Sequence, residues 1–163
     1  MKKHALIAFA ALALAGGSVL AFAPVQSEKM DGPGLKRVLE GLGFEVKVTS
    51  ATEGKEVYQI THVTGGYNVH MSASFSGSKN YIYLIASLGE VSKLESKTDI
   101  YKKLLQENGK VQPCQFYISE KGMLQMAAAT DNRGVQAADM KRVIEMLGNN
   151  VAETDELWLP SAE

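Results

Sequence analysis

Reactive chemistry is scarce in this sequence. It has 163 residues and one cysteine, Cys114. A lone thiol cannot close an internal disulfide, so the fold must rest on its apolar core. Net charge is also small: 17 Lys and Arg face 18 Asp and Glu, a formal −1. Such a balance offers no basic stripe for nucleic acid, whose binders carry a clearly basic face. There is no internal repeat and no low-complexity tract, and the composition is that of an ordinary globular chain. No group of residues is spaced for catalysis, for a cofactor or for a metal. The expectation is a non-enzymatic protein with no catalytic residue, no metal ligand and no cofactor.

The N-terminus is where a long apolar run does occur. Met1-Lys2-Lys3-His4 is basic, Ala5 to Leu14 is uninterruptedly apolar, and Gly16-Gly17-Ser18 follows. Small residues at Val19-Leu20-Ala21 and again at Ala21-Phe22-Ala23 match the cleavage positions of a Sec-type secretory signal. Cleavage after Ala21 is favoured, because a cut after Ala23 would leave Pro24 next to the scissile bond. The protein is thus expected to be exported, to the periplasm or the outside. The alternative is an N-terminal membrane anchor, should the segment stay uncleaved. Loss of Lys2 and Lys3 would leave 15 basic against 18 acidic residues, a net of −3.

At this length the mature chain fits one domain. The division read here is a signal over 1–21, a short linker over 22–31, a domain over 32–158 and a tail over 159–163. Asp31 and Pro33 open a helix carrying Leu35, Val38, Leu39 and Leu42, with Gly43 as its stop. Phe44 to Val48 alternates as a strand does, and three more strands follow at Val57–Val63, Tyr67–Ser76 and Asn80–Ala86. Thr98-Asp99 caps a helix with Ile100, Tyr101, Leu104 and Leu105, closed by Asn108-Gly109. A hairpin with Cys114, Phe116 and Ile118 returns through Met123–Thr130. Asp131-Asn132-Arg133-Gly134 breaks that strand, and Met140, Val143, Ile144, Leu147 and Val151 line a final helix. Leu157-Trp158-Leu159 is placed to fold back onto the body.

Two tight turns set registers for the meander. With Gly65-Gly66 as a loop, Ile60 faces Met71 and His62 faces Val69. With Gly77-Ser78 as a loop, Met71 faces Leu84 and Ala73 faces Ile82. One face then collects Tyr58, Ile60, Val69, Met71, Ala73, Phe75, Ile82 and Leu84; the other collects Gln59, Thr61, Asn68, His70, Ser72, Ser74, Tyr81 and Tyr83. The sheet is therefore antiparallel, with one packed face and one wetter face.

Weighed as chemistry, most features are structural. Cys114 reads as a buried small hydrophobe. His62 and His70 fall on opposite faces and cannot share an ion. Gly65-Gly66 and Gly77-Ser78 lead into strands, so they are not phosphate cradles. The Asp131–Gly134 turn reads as a connector whose side chains satisfy helix amides, with Arg133 as a candidate anion contact. Tyr81 and Tyr83, flanked by His70, Ser72 and Ser74, form a polar–aromatic strip suited to protein contact. The candidate partner surface is thus His70, Ser72, Ser74, Tyr81, Tyr83 and Arg133. The rival reading is an envelope enzyme or small-ligand binder using Cys114, His62 or the Arg133 turn.

The element order is α-β-β-β-β-α-β-β-α, an α+β class with an antiparallel six-stranded sheet backed by helices. This order, together with Leu42-Gly43-Phe44-Glu45-Val46, Leu104-Leu105-Gln106-Glu107-Asn108, Phe116-Tyr117-Ile118, Gly122-Met123-Leu124 and Asp131-Asn132-Arg133-Gly134, resembles the YbjN-like family. That family is a branch of the type III secretion chaperone-like (CesT-like) fold. The resemblance covers roughly residues 32–158. It implies a helix-backed sheet, homodimerisation, and binding of a protein partner in place of catalysis.

Overall fold

The structure, a computed structural model, describes residues 28–94 and 99–159. The signal over 1–21 and its cleavage site lie outside the described residues, as do 22–27, Thr98 and 160–163. The described elements are α1 Gly32–Gly41, β1 Lys47–Ser50, β2 Val57–Thr64, β3 Tyr67–Phe75 and β4 Tyr81–Glu90. After a 3₁₀ turn at Val91–Leu94 come α2 Ile100–Glu107, β5 Gln115–Ile118, β6 Met123–Asp131, α3 Ala137–Glu153 and α4 Asp155–Trp158. All neighbouring strands are antiparallel, and the six stand in the order β1-β2-β3-β4-β6-β5. The α+β class and element order match the expectation, with α4 and the 3₁₀ turn added.

Local chemistry sets both ends of α1. The Asp31 carboxylate accepts a hydrogen bond from the Gly34 amide at 2.7 Å, and Pro33 occupies the first turn. At the other end Gly43 takes φ +89°. Its amide donates to Glu40 O at 2.9 Å and the Phe44 amide donates to Leu39 O at 3.2 Å. This crossed pair is a Schellman stop. It also explains why β1 starts at Lys47 and not at Phe44. The Phe44 amide closes the helix, and its ring meets His62 edge-on at 6.3 Å, so its alternation reflects burial and not ladder pairing.

The first hairpin has the expected register: Ile60 opposite Met71, His62 opposite Val69 and Thr64 opposite Tyr67. Gly65 and Gly66 both take positive φ, as a type I′ turn requires. The second hairpin is displaced by two residues from expectation. Ala73 faces Leu84 and Phe75 faces Ile82. Its turn is wider because Lys79, at φ +56°, takes the left-handed position, while Ser76 N donates to Tyr81 O at 2.9 Å. An even shift leaves every side chain on its expected face.

Helix α3 lies across the inner face over β6, β4, β3 and β2, with α1 beside it. Met140, Val143, Ile144, Leu147 and Val151 are buried there against Ile60, Met71, Leu84 and Met126. Close approach over β2 depends on Gly148, where a Cβ would stand 2.4 Å from His62 Cδ2. The chain end does fold back. Trp158 Nε1 donates to Val151 O at 2.9 Å, and its ring meets Tyr67 edge-on at 5.7 Å.

Asp99 departs from expectation. It sits at φ +59° and makes no side-chain cap bond; a capping side chain ordinarily works from extended backbone, which Asp99 does not have. Residues 28–31, read as linker, are docked at their described end: Lys29 bridges to Arg133 and Met30 packs against the core.

Candidate functional site

The helices that cover the sheet share one side, which leaves the other side open. Strand parity puts His70, Ser72 and Ser74 of β3 and Tyr81 and Tyr83 of β4 on this open face together. Ser74 and Tyr83 are direct cross-strand partners. Tyr81 is 46% exposed and Tyr83 37%. His70 Nδ1 lies 3.0 Å from Thr61 Oγ1, and Ser72 Oγ donates to Ile85 O at 3.4 Å.

Beyond β4 the relief changes. Tyr83 faces Ala129 and Ile85 faces Ala127 across the β4–β6 ladder. Small side chains on β6 beside tyrosines on β4 leave a trough of about 400 Å³ between Tyr81 and Tyr83 on one bank and Pro113 and Gln115 on the other. Sequence reading missed this trough. Its two banks lie in strands separated along the chain by α2, and the neighbourhood exists only once β6 inserts between β4 and β5.

The centre of the open face is free of formal charge, and charged residues stand at its margins. Among the described residues, the outward positions of β2 and β3 are Val57, Gln59, Thr61, Val63, Asn68, His70, Ser72 and Ser74. On β4, β6 and β5 they continue as uncharged side chains between Glu90, opposite Met123 at one end, and Asp131 at the other, while Lys47 of β1 stands opposite Gln59. Asp131 stands at the end of its strand, opposite Tyr81. Arg133 grips it there, donating from Nε at 3.0 Å to Oδ1, from Nη2 to Oδ2, and from its backbone amide at 2.8 Å. Hydrogen bonds from Arg133 hold the Asp131 carboxyl at about 2, below its ordinary 3.8. Arg133 is therefore next to the strip, with its guanidinium directed at Asp131.

The rest of that turn does different work from the expected one. Asn132 is fully buried. Its amide donates to Met30 O and Lys79 O, both at 3.0 Å, and accepts from Met30 N at 3.1 Å. The turn clamps the N-terminal segment and the β3–β4 turn and does not serve the helix amides. Gln136 and Asp139 cap α3 as a reciprocal box.

The other chemical candidates are dispersed. Cys114 is buried at the β5 side, and burial pushes its thiol pKa up, offset in part by a hydrogen bond with Asn150. His62 is on β2 on the inner side, with β3, β4 and β6 standing between that strand and β5. His70 is on the opposite face. Among the described residues no group of three His, Cys, Asp or Glu side chains is placed to hold a metal ion.

One more exposed surface exists at the sheet edge. Tyr101 and Leu105 of α2 and Ile118 of β5 rim an apolar groove of about 200 Å³ floored by Leu104, Phe116 and Leu124. Leu105 is 72% exposed. Beside it, Asn108 covers the outer rim of β5. Its Oδ1 accepts from Phe116 N at 2.6 Å and its Nδ2 donates to Phe116 O at 3.2 Å, as a neighbouring strand would.

Comparison with known proteins agrees with this architecture. No protein-family model and no curated protein matches the chain. Among solved structures, the ExsC–ExsE complex contains a chain that superposes with TM-score 0.57 at 15% identity, covering 82% of this chain and all of that one. A HopA1–SchA chaperone–effector complex gives 0.53 at 14% identity, covering 75% and 90%. The fold is type III secretion chaperone-like. A protein from Methanothermobacter thermautotrophicus also shares it, at TM-score 0.51 and 12% identity over 77% and 92% of the two chains. At such identities the chaperone-like fold is what transfers, since unrelated activities share folds.

Proposed function

We propose that this protein is an exported, non-enzymatic protein-binding module, chaperone-like in its mode of action, related to the YbjN-like proteins and working as a homodimer. The observation that carries this reading is the open sheet face. An exposed antiparallel face ordinarily carries charges of both signs throughout, whereas the centre of this one presents tyrosine, serine, glutamine and alanine, with Lys47, Glu90 and Asp131 at its margins. Depletion of charge with retention of aromatics is the compositional mark of the centre of a protein interface. The apolar groove beside α2 is a second exposed surface of the same kind. The chaperone–effector complex among the structural neighbours supports the reading, as does the dispersal of Cys114, His62 and His70.

Protein co-purifying with the tagged chain from the envelope fraction of its native host provides the test. Replacing Tyr81 and Tyr83 together by serine should lower its recovery several-fold, and unchanged recovery would remove those residues from the reading. Export is checked in the same preparation, where the intact mass should lack residues 1–21.

A further inference from the structure

We infer that Asn108-Gly109 is a site of spontaneous deamidation, held in check by the fold, and that its conversion irreversibly opens the β5 edge of the sheet. It is the one Asn-Gly pair in the chain. Glycine is the successor that least obstructs attack of its own backbone nitrogen on an asparagine side chain, because it has no Cβ and the freest backbone. In that reaction the Gly109 nitrogen gives up its proton to solvent and bonds to Asn108 Cγ. The Nδ2 group leaves as ammonia, taking a proton from solvent, and a cyclic imide remains. Water then adds across one of the two imide C–N bonds, giving aspartate or its β-linked isomer. No oxidant or enzyme enters, and water is the only co-reactant.

In the folded state each reacting group is engaged. Asn108 Oδ1 accepts from Phe116 N at 2.6 Å, Nδ2 donates to Phe116 O at 3.2 Å, and Gly109 N donates to Gln106 O at 3.2 Å. Asn108 also closes α2 with helical backbone angles, φ −55° and ψ −24°. Ring closure needs its side chain turned onto the next peptide, so both bonds to Phe116 must break first. The element that opens for this is weakly held. α2 has 8 residues, Asp99 gives it no side-chain cap, and only Ile100 and Leu104 of the helix are buried. A helix this short is marginal by itself, and local opening draws on such elements. The product cannot restore the bridge. An aspartate carboxylate only accepts, so at position 108 it meets the Phe116 carbonyl oxygen against oxygen and moves off with its acceptor. The β-linked isomer also lengthens the backbone between α2 and β5. Either product leaves Phe116 N and O unpaired on an edge strand.

Peptide mapping by mass spectrometry, after incubating the purified protein in mildly alkaline buffer, tests the inference. Asn108 should convert ahead of Asn68, Asn80, Asn132, Asn149 and Asn150, and many-fold faster in denaturant than in buffer. Gly109→Ala should slow that conversion many-fold and keep the unfolding midpoint near the parent's, since an added Cβ would meet only Gln106 O, at 3.3 Å. The consequence is read by amide exchange, where Asn108→Asp should speed exchange at Phe116 several-fold over the parent. Should Asn108→Asp fail to fold, the converted fraction of aged parent, separated by ion exchange on its added negative charge, carries the same measurement. An Asn108 that converts no sooner than the other asparagines, or as fast in buffer as in denaturant, overturns the inference. So does a Gly109→Ala chain that converts at the parent's rate, or a converted chain that keeps the parent's protection at Phe116.

Discussion

The two faces of the sheet obey the same period of two and are selected by opposite means. On the inner face Leu84, Ile82 and Met71 are buried beneath α1 and α3, and what matters there is apolar volume. On the outer face Tyr83, Ser74 and Ala129 are equally regular, yet no helix covers them, and what distinguishes them is the absence of charge. The first pattern specifies a fold, because burial of apolar area is its main driving force. The second contributes to folding only through strand preferences of about 1 kcal/mol or less per residue. It is therefore the part of the pattern that points to use.

The largest test sets adjacent residues of one strand against each other. Leu84→Ala removes a fully buried side chain and should cost about 2–5 kcal/mol in denaturant unfolding. Tyr83→Ser, one residue away, should cost about 1 kcal/mol or less, the range of strand preferences on an open surface. Comparable losses would mean that the outer face is structural after all. Asn132→Ala comes next. It strips three hydrogen bonds from a fully buried clamp and leaves Met30 N, Met30 O and Lys79 O to find other partners. A loss of about 2–3 kcal/mol is expected, since each unpaired buried polar group costs about 1–3. Because the clamp lies at the end of β6 beside Asp131, its loss should also expose the 28–30 segment to faster amide exchange.

What the sequence showed and hid follows from how far apart the interacting residues are. Alternation within β2, β3 and β4 is local, so both faces could be assigned from it, and Tyr81 and Tyr83 fell where the parity put them. The Gly65-Gly66 turn announced its own register. The Lys79 turn did not, because a lysine at positive φ is not a recognisable signal, and the pairing slipped by two. The Asn132 clamp joins residues 102 positions apart, and no spacing rule reaches that far. The trough needed β6 to be known as the neighbour of β4. The need for glycine at Gly148 comes from His62, which stands beneath it from a strand far away in the chain. Asp99 looked like an ordinary cap, and only its backbone angles show otherwise.

Edges provide a third region against which the faces can be judged. β5 ends the sheet, and an unpaired edge invites strand addition. Here Asn108 occupies the Phe116 amide and carbonyl, so β5 is closed at its centre by a side chain acting as a strand. Asn108→Ala should destabilise by about 1 kcal/mol, the net worth of a hydrogen bond. It should also produce species larger than a dimer in sedimentation, as opened edges pair. If no larger species forms, Asn108 is not what keeps the β5 edge from pairing.

The smallest effect concerns the exposed ion pair at one margin of the open face. Arg133 donates to Asp131 through its side chain and its backbone and holds that carboxyl at about 2, below the ordinary 3.8. A carboxylate whose folded pKa is depressed stabilises the fold fully above its unfolded value, and that contribution is lost as pH falls through the folded value. The window is thus from about pH 4 down to about pH 2. Because the pair is solvent-exposed, the effect is screened and should shrink further in high salt. Arg133→Gln should lower the denaturation midpoint slightly at neutral pH. The gap between parent and variant should close across the stated window, at low salt more visibly than at high. A gap that stays constant with pH would mean that Arg133 acts other than through the Asp131 carboxylate, leaving Asp131 as an ordinary surface charge at the margin of the open face.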